Sequence, residues 1–261
     1  MGPGMTFKPY PHAETDGSPG RGFAMLRAKV ARRLALGLYA RQVSIGLRRD
    51  LSVAVDPPAA QIPVSLRRFR ETDLPALFPA GCDASAQSER ADVEWRLRAT
   101  AHGILPSQGF VAVDRRSGRP CHIQWLTEPG YGDAIRRSGA LPALAAEEAM
   151  LESAFTPLEY RGLGIMAVAV HLIAEHAAAL GKRYLVAYVD ADNAASLKGV
   201  ERAGLTPWST RTRRQFGFGL VRTVRFDTVA ASAGASAPSA PEDQVNGVRD
   251  GRDGSPAERP R

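Results

Sequence analysis

The segment Glu159 to Met166, EYRGLGIM, stands directly ahead of the apolar run AVAVHLIAEHAAALG. Glycine has no Cβ, so backbone can approach a ligand closely there, and a helix start presents unpaired amides at the positive end of its dipole. Gly162 and Gly164, one residue apart at such a start, therefore suggest an anion, with phosphate the first candidate. The donors would be the amides of Arg161, Gly162, Leu163, Gly164, Ile165 and Met166, and the Arg161 guanidinium adds charge beside them. The Met166 side chain must then turn into the core, which its pliable thioether allows.

Elements must hold these residues in place. From Ile62 the pattern is regular: IPVSLRRF predicts a strand, ETDLPALFPA a short helix with Thr72 or Asp73 as cap, and SAQSERADVEWRLRATAHG a second helix. GFVAVDRRSGRPCHIQWL predicts two strands about a Ser-Gly turn, EEAMLESAF another strand, and LGIMAVAVHLIAEHAAAL a long helix closed by Gly181. RYLVAYV, the helix NAASLKGVERA and a pair of strands in LTPWSTRTRRQFGFGLVRTVRF complete the order β-α-α-β-β-β-α-β-α-β-β, a mixed α/β sheet. Ahead of it, FAMLRAKVARRLALGLYARQ predicts a basic helix with Leu26, Val30, Leu34 and Leu38 in a row, suited to packing on the domain or lying on a membrane surface. VSIGLRRDL then predicts a strand and DPPAAQ a linker. The organisation expected is a disordered stretch over 1–22, a helical arm with a strand over 23–55, a catalytic-size domain over 62–227 and a polar low-complexity tail over 230–261.

Composition narrows the function. The chain has 261 residues and a formal charge of +7, carried almost wholly by scattered Arg, which argues against a dedicated nucleic-acid surface. Two cysteines, Cys82 and Cys121, lie far apart without a CxxC or a paired His, so a reduced compartment and no metal site are expected. No apolar run has the length of a membrane span and no signal-peptide core opens the chain; a cytoplasmic location follows as the expectation.

Two readings of the glycines compete. Gly162, Gly164 and Ala167 match a G-x-G-x-x-G/A dinucleotide pattern, with Asp190 ending the next strand as a ribose acceptor. In that pattern the strand runs straight into the first glycine, whereas TPLEYR intervenes here, and only one further βα unit and a hairpin follow. The second reading starts from Arg161: RGLGIM follows Q/R-x-x-G-x-G/A in its Arg, its central Gly164 and its place between strand and helix. With VSLRRFRETDLPAL before it and DNAASLKGVERAGL after it, the chain resembles the GNAT superfamily of acyl-CoA-dependent N-acyltransferases from about Ile62 to Asp227. It departs from the family pattern at Met166, at Leu205 and at Val200, where many members carry a tyrosine that protonates the leaving thiolate.

The resemblance implies a GNAT-like α/β fold with a mostly antiparallel central sheet and flanking helices, to which periodicity and composition add the N-terminal helical arm and the disordered ends. It implies an N-acetyltransferase that moves an acyl group from acetyl-CoA, or another acyl-CoA, to the amine of a small molecule or peptide by direct attack, without a metal. The backbone of Ala154, Phe155 and Thr156 would lie along the pantetheine and polarise the thioester, with Asn193 and Ser196 facing the same arm. Glu152, on the strand leading to the loop, would accept the amine's proton, ahead of Glu147 and Glu148. Tyr188 or Ser196 would stand in as proton donor. His171 and His176 belong to packing, and Trp95 and Trp125 to the core or an acceptor wall. The reading of a different class is a non-catalytic acyl-CoA-binding or regulatory module.

Overall fold

The computed structural model describes residues 38–131, 141–217 and 221–228. These build one eight-stranded sheet from β1 (Tyr39–Asp50), β2 (Val64–Arg68), β3 (Ser107–Asp114), β4 (Pro120–Thr127), β5 (Glu148–Phe155), β6 (Tyr184–Asp190), β7 (Thr206–Phe216) and β8 (Val221–Thr228). The strand order is β2-β3-β4-β5-β6-β1-β7-β8. Every neighbouring pair is antiparallel except β5 and β6, which run parallel. Four helices accompany it among the described residues: α1 (Leu74–Leu77), α2 (Ala84–Ala101), α3 (Ile165–Ala179) and α4 (Ala194–Arg202). From β2 onward the element order is the one the sequence pattern predicts.

Two helices cover the two faces of the sheet. The small and branched residues Val170, Ile173, Ala174 and Ala177 of α3 pack on Leu151, Leu185, Ala187 and Val189. On the other face, Val93 of α2 joins Val111, Ile123, Trp125 and Phe155, with Phe78 stacked on Phe155 at 4.5 Å. With both faces covered, β4 is buried along its whole length, polar His122, Gln124 and Thr127 included. Each large apolar side chain buried here contributes about 1.5–3 kcal/mol. The short α1 is anchored to β2 by a double contact, in which both Arg67 Nη atoms lie 2.7 Å from the Asp73 carboxylate.

The N-terminal part departs from expectation in one respect. Residues 39–42, expected in the basic helix, are the first turn-free residues of β1, and this strand lies inside the sheet between β6 and β7. Its pairing partners explain the outcome: β6 and β7 are joined through α4, and β1 supplies the ladder between them, carrying fully buried Leu47 into the core. Arg49 is buried too, and its Nη1 donates to the Ala203 carbonyl at 2.9 Å and approaches His171 Nδ1 at 3.3 Å. A domain starting at residue 62 would therefore leave out an interior strand. The rest of the expected helix, the ends 1–22 and 230–261 and residues 132–140 lie outside the described residues.

Candidate acyl-CoA site between β5 and β6

β5 and β6 pair from Glu148↔Tyr184 to Leu151↔Ala187 and then part, although both strands continue. On its other edge β5 remains on β4, with a bulge: Glu152 faces Trp125 and Phe155 faces Ile123. Within the bulge Ser153 has φ +41°, the one positive value at a non-glycine among the described residues. A bulge re-aims backbone, and this one lies where the β6-facing edge of β5 loses its partner. The amides and carbonyls around Ala154 and Phe155 are thus presented to a wedge whose other wall is β6 from Tyr188 on.

The wedge opens toward the glycine loop. A short 3₁₀ turn at Leu158–Tyr160 separates β5 from that loop, so the strand does not run into the first glycine as the dinucleotide pattern requires. Gly164, at φ +77°, is the N-cap of α3; no side chain caps the helix and no acidic residue occupies its first turn. The amides of that turn are therefore left for a ligand, and the dipole favours an anion. The two glycines differ. A Cβ on Gly162 (φ +79°) would meet nothing within 4 Å, whereas one on Gly164 would lie 3.0 Å from the Ala59 carbonyl. The linker packs there: the Gln61 amide donates to Leu163 O at 2.9 Å, and Arg202 Nη2 to Ala59 O at 3.1 Å. The absent Cβ of Gly164 thus makes room for the protein itself, not for a phosphate. Met166 turns inward against Gly199, as its place required. Arg161 is exposed and folds across the loop, its Nε donating to Thr156 O at 3.0 Å.

Thr156 ties β5 to β4. His122 Nε2 lies 3.3 Å from Gln124 Oε1, so the ring proton sits on Nε2 and Nδ1 accepts from the Thr156 hydroxyl at 2.7 Å. Burial pushes His122 down to about 4, which keeps it neutral and suits that role. Asn193 caps α4 by accepting from the Ser196 amide at 3.1 Å, so these two residues are engaged with each other. His171 and His176 are packing residues, beside Arg49 and against Phe110 respectively.

The structure brings Glu152 and Tyr188 to one face, the one covered by α2. Glu152 is nearly sealed from solvent, with Oε2 2.6 Å from Arg96 Nη2. Arg96 Nε contacts Asp92 Oδ2 at 3.2 Å, and the same oxygen accepts from Ser153 Oγ at 2.9 Å. To take a proton, Glu152 would have to give up a guanidinium. Tyr188 is the first β6 residue beyond the parting, and Ser209 Oγ lies 3.3 Å from its hydroxyl. Burial pushes the phenol above its ordinary value, so it stays protonated at neutral pH. The ring rests on β1 at Gly46, where a Cβ would strike Ser209 Oγ and come within 2.8 Å of the Tyr188 ring. Arg211 stands 5.3 Å from the ring centroid and donates to Ser44 Oγ at 3.0 Å, and Ser44 donates to Asp190 at 2.8 Å. Gln42 also donates to Asp190, at 2.7 Å, so the carboxylate set aside as a ribose acceptor is occupied by β1. Burial pushes Arg211 down to about 10, still charged at neutral pH.

Glu89, Asp92, Arg96, His122 and Arg211 were not among the residues the sequence singled out. One signal was available: Glu89, Val93 and Arg96 recur at four- and three-residue spacing, placing two charges on the stripe that α2 buries. An open cleft of about 450 Å³ lies at the other end of α2, lined by Leu97, Arg98, His102, Gly109 and Trp125 among others. Trp125 is core and Trp95 joins the cluster of Met150, Val186 and Tyr188. Among the described residues no group of His, Cys, Asp or Glu could hold a metal ion, and no helix is long and apolar enough to cross a membrane.

No curated protein matches the chain. Solved structures align with it at low identity. The GCN5-related N-acetyltransferase from Sphaerobacter thermophilus shares 15% identity, with a TM-score of 0.44, over 72% of this chain and 56% of that one. RimJ from Mycobacterium smegmatis, in complex with CoA-disulfide, shares 16% (TM-score 0.40; 62% and 74%). The ribosomal-protein-S5-alanine acetyltransferase from Vibrio fischeri shares 14% (TM-score 0.35; 54% and 78%). The chain also spans 60% of a tandem GNAT protein from the clavulanic acid biosynthesis pathway, so it covers less than two thirds of several of these. The family model described as the acetyltransferase (GNAT) domain matches residues 64–206, more than half of the chain and the whole stretch from β2 to the start of β7. By that match the chain belongs to the GNAT acetyltransferase family.

Proposed function

We propose that this protein transfers an acetyl group from acetyl-CoA to the amine of a small molecule or peptide, by direct attack of the amine on the thioester. The observation that carries the reading is the parting of β5 and β6 after Leu151↔Ala187, immediately ahead of an uncapped helix start. The first-turn amides of α3, with Leu163 to Met166 and Arg161 around them, hold the pyrophosphate. The freed edge of β5 at Ala154, Phe155 and Thr156 holds the pantetheine, and an amide there polarises the thioester carbonyl as negative charge develops on its oxygen. Asn193 and Ser196 border the same arm from the end of β6. As the C–N bond forms and the C–S bond breaks, Tyr188, protonated and on the open wall of the wedge, supplies the proton that the thiolate takes. Glu152, proposed from its place on β5, acts as an anion whose ion pair with Arg96 holds α2 over the bulge. The cytoplasm suits Cys82 and Cys121, both free thiols.

The alternative of a non-catalytic acyl-CoA-binding module differs in one observable. Thiol release from acetyl-CoA, measured with a panel of amino acids, polyamines and peptides, is expected to rise above the amine-free rate for at least one amine. Coenzyme A binding with no release for any amine would favour the module.

A further inference from the structure

α2 lies antiparallel to β5. Arg96 meets Glu152, and Asp92, one turn earlier, meets Ser153. Val93 packs in the cluster that contains Phe155, so Glu89, one turn nearer the N-terminus of α2, lies over the end of β5 from Ala154 to Thr156. Glu89 is 6% exposed, and its Oε1 is sealed from solvent without a hydrogen-bond partner. A glutamate so placed would ordinarily be paired. The neighbouring cations serve other groups: Arg96 binds Asp92 and Glu152, Arg90 binds Glu94, and Arg161 Nε binds the Thr156 carbonyl.

We infer that Glu89 is the carboxylate that accepts the acceptor amine's proton, directly or through one water. The inference rests on the transfer reaction proposed above. An amine arrives largely as its ammonium form; Glu89 takes one proton, and the freed electron pair forms the C–N bond with the thioester carbon. The C–S pair leaves on sulfur, which takes a proton from Tyr188; the second N–H proton, lost as the amide forms, returns to Tyr188 through solvent, and Glu89 afterwards releases its own proton to solvent. Glu152 lies on the same face, and its Oε1 is likewise sealed without a hydrogen-bond partner, but its Oε2 stands 2.6 Å from a guanidinium, whereas among the described residues no ion pair reaches Glu89. The charged groups facing Glu89 are Asp92 and Arg96 on its own helix and Arg161 on the loop. Burial first, and then the like charge of Asp92, push its carboxyl up to about 7, with Arg96 and Arg161 opposing. A base of that strength is half ionised near neutral pH, and two nearby carboxylates favour a cationic acceptor.

The test compares wild type, Glu89→Gln, Glu89→Asp and Glu152→Gln by thiol release from acetyl-CoA, using the amine that wild type turns over fastest. Wild-type kcat/KM should rise with pH to a plateau about a midpoint near 7. Glu89→Gln should lose about a hundredfold or more at pH 7 and lose that limb, with coenzyme A affinity unchanged, and Glu89→Asp should recover part of the rate. Glu152→Gln should keep the limb. A ¹³C-carboxyl titration of glutamate-labelled protein should show one resonance with a midpoint near 7 that is absent from Glu89→Gln and moves when coenzyme A is added. An active enzyme whose pH limb survives Glu89→Gln, or a protein with no glutamate titrating above pH 6, overturns the inference. A wild type that binds coenzyme A and releases thiol to no amine overturns the transfer reading first, and the inference with it.

Discussion

Alanine at Gly162 and alanine at Gly164 should fail in different ways, because the two missing Cβ atoms face different things. Both residues have φ near +78°, a conformation that costs an L-residue about 1–2 kcal/mol. At Gly162 that is the whole stability cost, since the new methyl meets no protein atom. At Gly164 the methyl lies 3.0 Å from the Ala59 carbonyl, a backbone atom tied to Arg202, so overpacking adds about 1–3 kcal/mol more. The ligand term runs the other way. In the site proposed above, the open side of Gly162 is the side from which a pyrophosphate would reach the loop, and losing one charge-assisted amide contact there would cost about 1.5–3 kcal/mol, or at least tenfold in Kd. Urea denaturation should show Gly164→Ala as the less stable variant, by at least about 1 kcal/mol. Calorimetric titration of the folded proteins with coenzyme A should show Gly162→Ala binding at least tenfold more weakly than wild type. Equal stabilities, or wild-type affinity in Gly162→Ala, would refute the assignment of the two faces.

Removing residues 1–55 should abolish soluble folded protein, because the loss of buried Leu47 alone costs about 2–5 kcal/mol and both β6 and β7 become edges; expression followed by circular dichroism checks it. Tyr188→Phe should lower kcat about ten- to a hundredfold while leaving coenzyme A affinity unchanged, measured by thiol release and calorimetry. Asp73→Asn should destabilise by about 2 kcal/mol at pH 7 through the loss of the paired Arg67 contact. Although burial raises the Asp73 carboxyl, Arg67 and the Arg70 amide outweigh it and hold the group below its ordinary value. Its stabilisation is therefore present above the unfolded value and lost as pH falls, so the difference between variant and wild type should vanish in acid denaturation. Glu89→Gln should behave oppositely. A carboxyl raised from 4.5 to about 7 contributes stability below its unfolded value that is lost as pH rises through 7, so the variant should exceed wild type above pH 7 by up to about 3 kcal/mol, read by denaturation at pH 5 and pH 8.

The order of elements from β2 to β8 was legible because each has a plain local signal. Helices α3 and α4 end at Gly181 and Gly204, both at positive φ, and β5 and β6 are short apolar-rich segments bounded by loops and helices, the pattern of strands. The glycine loop ahead of α3 was legible for the same reason, and both of its glycines stand at positive φ. What stayed hidden depends on contacts distant in the chain. The residues of β1 pair with strands 134 to 177 positions later, and its tip continues a leucine row that favours a helix. The site charges on α2 were hidden because a buried Glu or Arg looks in sequence like a solvated one. Only the antiparallel course of α2 over β5 turns Glu89, Asp92 and Arg96 inward. Glu152 was singled out by its place on β5, but its ion pair with Arg96 joins residues 56 positions apart and could not be read from either neighbourhood.

Hydrogen exchange of the backbone amides with and without acetyl-CoA tests the central claim most directly, because the proposed site is built largely of backbone. Peptides covering Ser153 to Thr156 and Gly162 to Val168 should become strongly protected on binding, while those covering the cleft of Leu97, Arg98 and His102 at the far end of α2 should not change. Protection at that cleft, with the β5 bulge and the glycine loop exchanging as before, would contradict the assignment of the wedge between β5 and β6 as the acyl-CoA site.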